Sequence, residues 1–161
     1  MKLLLSFLLL FSASIKADAV VYSVNELRWS QIYPSNGACT IDLVTEVVSS
    51  VSGPTCKNNF KGKLGVYRIV ATPNKTVNVT ISDRLSINNG NDGIDFVPAG
   101  TLVSDTESHA IIPNTIIAID SGVSGEITVK LGGDLYISQE PAGSRTTTID
   151  VLDGITATEL P

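Results

Sequence analysis

Apolar and polar residues alternate along most of this chain in short segments, with a period of two. Eight stretches carry the pattern: Val20–Leu27 (VVYSVNEL), Thr40–Val48 (TIDLVTEVV), Leu64–Ala71 (LGVYRIVA), Thr76–Ser82 (TVNVTIS), Thr115–Asp120 (TIIAID), Glu126–Leu131 (EITVKL), Asp134–Ser138 (DLYIS) and Thr146–Leu152 (TTTIDVL). Each is rich in Val, Ile, Thr or Tyr and bounded by Gly, Pro, Asn, Asp or Ser, which is how strands read in sequence. Turn residues recur between them, as PSNG at Pro34–Gly37, SGP at Ser52–Pro54, TPN at Thr72–Asn74, SGVSG at Ser121–Gly125 and DG at Asp153–Gly154. No segment after the N-terminus shows the 3.6-residue period of a helix. The expectation is one all-β domain, an antiparallel sandwich or barrel. Alternation also assigns faces. Val77, Val79 and Ile81 share one side of their strand, as do Ile127, Val129 and Leu131, and Ile149 and Val151, so these form the expected core.

The first residues break this pattern. MKLLLSFLLLFSASIKADA has Lys2, an apolar run from Leu3 to Phe11, and small residues ending in Ala17-Asp18-Ala19. A basic start, a short apolar stretch and an A-x-A site form the pattern of a secretory signal cleaved after Ala19. The run is about half of the roughly 20 residues a membrane-spanning helix needs. The expected organisation is a leader at residues 1–19 and a β-sandwich domain at residues 20–161, exported to the periplasm, the cell surface or the medium, with no integral membrane segment. Loss of the leader removes Lys2, Lys16 and Asp18. Eleven basic and sixteen acidic residues become nine and fifteen, and the net charge goes from −5 to −6. An acidic chain with scattered Lys and Arg is a poor partner for nucleic acid, whose affinity comes largely from phosphate neutralisation.

Export changes the reading of the two cysteines, Cys39 and Cys56. In an oxidising compartment an even pair reads first as a disulfide. The rival readings are a metal pair or a reactive thiol, but His109 is the sole histidine and there is no C-x-x-C spacing, so no metal or other cofactor is expected.

The remaining candidate chemistry is thin. No serine sits in a G-x-S-x-G elbow, and His109 in SDTESHAIIP has no orienting motif near it, so it reads as an exposed loop histidine. Asp42, Glu46, Glu126 and Asp134 read as solvated charges rather than a glycosidase pair. INNGNDGIDF, residues Ile87–Phe96, offers hard oxygen donors for calcium. It departs from the EF-hand register, and a hairpin between Arg84–Ile87 and Ile94–Val97 uses the same residues. The glycine pair in KLGGDLYIS, Gly132-Gly133, lacks phosphate-loop spacing. It reads as a tight connection or bulge where a side chain would be in the way, with Pro141 and Gly143 turning the chain into its last expected strand.

Three stretches, LRWSQIYPSNGACTIDL (Leu27–Leu43), LGVYRIVATPNKTVNVTI (Leu64–Ile81) and GEITVKLGGDLYISQEPAGSRTTTIDV (Gly125–Val151), resemble the secreted bacterial family filed as domain of unknown function four-four-zero-two. Trp29, Ser30, Ile32 and Pro34 fit its first motif, and Val70, Pro73, Val77, Val79 and Ile81 its second. Leu131 to Leu135, Ile137, Gly143, Ile149 and Val151 fit its C-terminal signature. Ser144-Arg145 stand where the family commonly has a tyrosine, and DGITATELP runs past its usual last strand. The resemblance implies an immunoglobulin-like sandwich without enzymatic activity, similar in pattern to spore coat U and archaic chaperone-usher pilus subunits. Such relatives often carry a disulfide near the position of Cys39. Partners would then be other copies of the chain or related subunits and an export chaperone. Joining would be by β-strand complementation, with Val20, Tyr22 and Val24 as donor or first-strand side chains. The alternative expectation is a monomeric exported module that binds a carbohydrate or other small ligand.

Overall fold

The computed structural model describes residues 18–33, 35–56, 60–82, 85–87, 93–138, 145–149 and 151–161. In chain order the strands are β1 (Val20–Asn25), β2 (Leu27–Ile32), β3 (Gly37–Ile41), β4 (Val47–Ser52), β5 (Phe60–Lys61), β6 (Gly65–Val70) and β7 (Thr76–Ile81). They continue as β8 (Leu85–Ile87), β9 (Ile94–Val103), β10 (Ser108–Ala110), β11 (Ile117–Asp120), β12 (Glu126–Ile137) and β13 (Arg145–Ile149). A single 3-10 turn, η1 (Leu152–Gly154), then leads into β14 (Ile155–Glu159). All pairings among the described strands are antiparallel.

The largest sheet is built on β9 and β12, paired from Thr128↔Val103 to Ile137↔Ile94. On the other side of β12, β6 takes the first half and β3 the second. The sheet runs β1-β6-β12-β3-β4-β5, with β8 and β10 on the free side of β9. Against it pack the sheets β11-β7-β14 and β13-β2, making an antiparallel β-sandwich of one domain. The alternation places the expected faces correctly. Val77, Val79, Ile127, Val129 and Leu131 are fully buried, and Ile81 and Val151 nearly so. Trp29, Tyr67 and Phe96 are the largest side chains in the same cluster. The Asn88–Gly93 segment does join two paired strands, β8 and β9, in register Leu85↔Phe96 to Ile87↔Ile94. Residues 88–92 themselves, with most of the calcium reading, lie outside the described residues, as do Pro141 and Gly143.

Three expectations are corrected. TIDLVTEVV is a hairpin and not one strand, since β3 ends at Ile41 and β4 begins at Val47. The Asp42 carboxylate decides this. It accepts the Val44 N–H at 3.0 Å, the Thr45 N–H at 2.7 Å and the Thr45 hydroxyl at 2.7 Å. A short acidic side chain that bonds the next N–H groups closes a turn that apolar alternation alone does not reveal. Leu43 and Val44 are accordingly exposed at the hairpin tip.

Second, Gly132-Gly133 is no connection between strands. β12 runs through both residues, at the point where its neighbour changes from β6 to β3. A Cβ on Gly132 would lie 2.8–2.9 Å from side-chain carbons of Leu43, Ile41 and Leu64. Gly133 has φ +134°, and a Cβ there would collide with the Val97 carbonyl. The close approach was legible; the uninterrupted strand was not.

Third, DGITATELP, past the last expected strand, holds a strand that the eight stretches do not include. Its residues form β14, paired with β7 from Ile155↔Ile81 to Glu159↔Val77. The Leu160 N–H extends the ladder to the Thr76 carbonyl at 2.9 Å, and the Glu159 carboxylate accepts the Thr72 N–H at 2.7 Å.

Candidate functional site

The N-terminal strand is the element on which the sequence concentrates its functional expectation, and it stands at the end of the main sheet. β1 pairs with β6 in cis, Val20↔Val70, Val21↔Ile69, Tyr22↔Arg68 and Ser23↔Tyr67, then slips by a bulge to Asn25↔Val66. Its alternation is ambiguous, because V-V-Y-S-V-N offers apolar residues to both sides. The register resolves it. Ala19 and Val21 are partly buried against the core, whereas Val20, Tyr22 and Val24 point outward, 47%, 48% and 55% exposed.

Polar contacts fix the surroundings of the strand. Lys63 Nζ donates to Asn25 Oδ1 at 2.9 Å, tying the end of β1 to the segment before β6. Arg68 and Glu126 form an ion pair at 3.3 Å on the outer face, both about half exposed. Ser23, Val24, Asn25, Glu26, Arg28 and Lys63 line a shallow polar groove beside the bulge. None of these contacts was read from the sequence, because each joins residues whose neighbourhood depends on the β1–β6 register. β1 also approaches β14 and η1 at the corner of the sandwich.

The two cysteines are brought together as expected. Cys39 and Cys56 are bonded with Cα atoms 5.9 Å apart, inside the ordinary disulfide range, and both are buried. Cys39 lies on β3 of the main sheet. Cys56 forms a bridge with Ile32 at the end of β2, and the Tyr33 N–H donates to the Thr55 carbonyl at 2.6 Å. The bond therefore links β3 to a segment that pairs with the opposite layer.

At one end of the sandwich is a loop cluster that the sequence did not flag. His109 is in β10, opposite Leu102, and is half-buried rather than in an exposed loop. Its Nε2 is 3.1 Å from a Glu107 carboxylate oxygen, an ion pair when the ring is protonated. The other Glu107 oxygen accepts the backbone N–H of Asp120 on β11. That hydrogen bond, followed by the His109 contact, holds the Glu107 carboxyl below its ordinary value. Asp105 accepts the Ser124 N–H at 3.0 Å, and the buried Ser121 hydroxyl donates to the Thr72 carbonyl at 2.7 Å. The geometry is that of a fixed loop end. Among the described residues no three His, Cys, Asp or Glu side chains are grouped to hold a metal ion, and no helix is long and apolar enough to cross a membrane.

No curated protein and no solved structure matches the chain. The family model that does match covers residues 20–152, from the first residue of β1 to the first of η1, so β14 lies beyond it. With that span, the chain belongs to the family described as Domain of unknown function (DUF4402).

Proposed function

We propose that this protein is an exported, non-enzymatic structural subunit of a cell-surface or fimbria-like assembly, joined to its neighbours by β-strand addition at β1. One observation carries the reading. The strand that directly follows the expected leader is the terminal strand of the main sheet, paired on one side, with an apolar row turned to solvent. Backbone groups along such an edge supply affinity and alternating side chains supply selectivity. The basic and apolar leader pattern and the buried disulfide support export, since structural disulfides persist in oxidising compartments.

The test compares the chain from Val20 with a Val24→Lys variant by sedimentation, and with a chain beginning at Glu26. Assembly should depend on β1. The lysine should weaken it, and the shortened chain should melt lower and recover with a peptide copying Val20–Leu27. A chain from Val20 that stays monomeric, with a melt that neither the lysine nor the peptide moves, is a self-contained module and would overturn the proposal.

A further inference from the structure

Natural sheets guard their edges with short strands, charges or proline, because an open row of N–H and C=O groups invites another chain. The described edge strands here follow that rule, with one exception. β5 has two residues, one of them Lys61, and β8 and β10 have three each. β11 ends on Asp120, β14 on Glu159, and β2 and β13 contain Arg28 and Arg145. β1, with six residues, has neither charge nor proline, and only the bulge between Ser23 and Asn25, near its end, interrupts the edge. Its outward row of Val20, Tyr22 and Val24 adds apolar surface beside the open edge.

We infer that β1 of one chain pairs with β1 of a second copy, antiparallel and about a two-fold axis at Tyr22, joining the two main sheets into one. The inference rests on the reading of β1 as the strand that joins subunits and names its partner, a second copy, in a closed pair from which a larger assembly would grow through another surface. Charge argues for a second copy at this place. After loss of the leader the chain carries net −6, so two copies repel on average. At β1 the edge carries no charged side chain, and on the adjoining outer face Arg68 is already paired with Glu126 in the same chain. The sequence also fits the symmetry. Centred on Tyr22, antiparallel pairing sets Val20 against Val24 of the other copy, Val21 against Ser23, and Tyr22 against Tyr22. Both copies then keep Val20, Tyr22 and Val24 on one face and the core-facing Val21 on the other, as an isologous contact requires. In cis β1 remains on β6, so the contact exchanges no strand.

The symmetry gives a direct test. Residues directly opposite across such a pair have Cβ atoms about 4.5–5.5 Å apart, so a small shift of the two strands brings a cysteine pair to the roughly 3.5–4.5 Å of a disulfide. In the chain from Val20, Tyr22→Cys should form a covalent dimer under mild oxidation. Val123→Cys, on a loop and 75% exposed, controls for random coupling and should form far less. Sedimentation at up to about 1 mM, the concentration range of weak edge contacts, should show a dimer that Val24→Lys weakens at least about tenfold. Association that depends on β1, with the Tyr22→Cys chain coupling no better than the Val123→Cys chain, overturns the two-fold pairing and leaves the assembly reading standing. A single-chain mass throughout, with equal coupling at both sites, overturns both.

Discussion

Replacing Gly133 by alanine adds one methyl group at the place where β12 exchanges one neighbour strand for another, and the structure says what that methyl meets. The residue has φ +134°, a region that side chains other than glycine occupy at a cost of about 1–3 kcal/mol. The new Cβ would also run into the Val97 carbonyl and lie 2.8 Å from the Ala99 nitrogen, both backbone atoms in the paired strand β9. These cannot swing aside as a side chain can, so relief requires opening the β9–β12 ladder. A loss of about 3 kcal/mol or more is expected, which for a domain of this size lowers the melting temperature by roughly 10 °C. Gly132→Ala is different. Its methyl would press on side-chain carbons of Leu43, Ile41 and Leu64 and on no backbone atom; Leu43 is 40% exposed and can move, whereas Ile41 and Leu64 are buried, so a smaller loss of about 1–2 kcal/mol is expected. Scanning calorimetry and urea melts of the chain from Val20 measure both. The asymmetry is the informative quantity. If Gly132-Gly133 were a two-residue hairpin turn, positive φ would fall on both positions (type I′) or on Gly132 alone (type II′), so Gly132→Ala would cost at least as much as Gly133→Ala. Equal losses, or a Gly133→Ala chain as stable as its parent, would refute a continuous β12.

Other outcomes follow from the same contacts. Reducing the Cys39–Cys56 bond, or replacing both residues with serine, should cost about 3 kcal/mol in the loop-entropy view, read as a lower urea midpoint. Ile155→Ala should cost about 2–4 kcal/mol, because Ile155 is 5% exposed in a strand that lies beyond the family match yet closes the edge of β7; an unchanged melt would mean that β14 is not packed. Glu107 has a folded value below its ordinary 4.5, so its contribution is present above that pH and is lost as pH falls through the folded value. Glu107→Gln should therefore flatten the fall of stability below about pH 4.5, and an acid limb identical to the parent's would count against the Glu107–Asp120 link.

The period-two alternation determined the fold class by itself, because the pleat sends alternate side chains to opposite faces and only one set can be buried. It also gave the core rows of β7 and β12, and cysteine parity in an expected oxidising compartment gave the disulfide. Where the pattern fitted two answers, contacts distant in sequence decided. V-V-Y-S-V-N has apolar residues on both sides, and the register against β6 turned Val21 inward and Val20, Tyr22 and Val24 outward. The glycine pair announced that backbone must approach closely, but whether the chain turns or continues there depended on β3, β6 and β9 all meeting β12. In D-L-V-T the Asp42 carboxylate overrode alternation with three local hydrogen bonds. The last residues were not among the eight alternating stretches, and their pairing along β7 made them a strand. A strand's existence is a property of its own residues, whereas its face, its neighbours and its open edge are properties of the whole sheet.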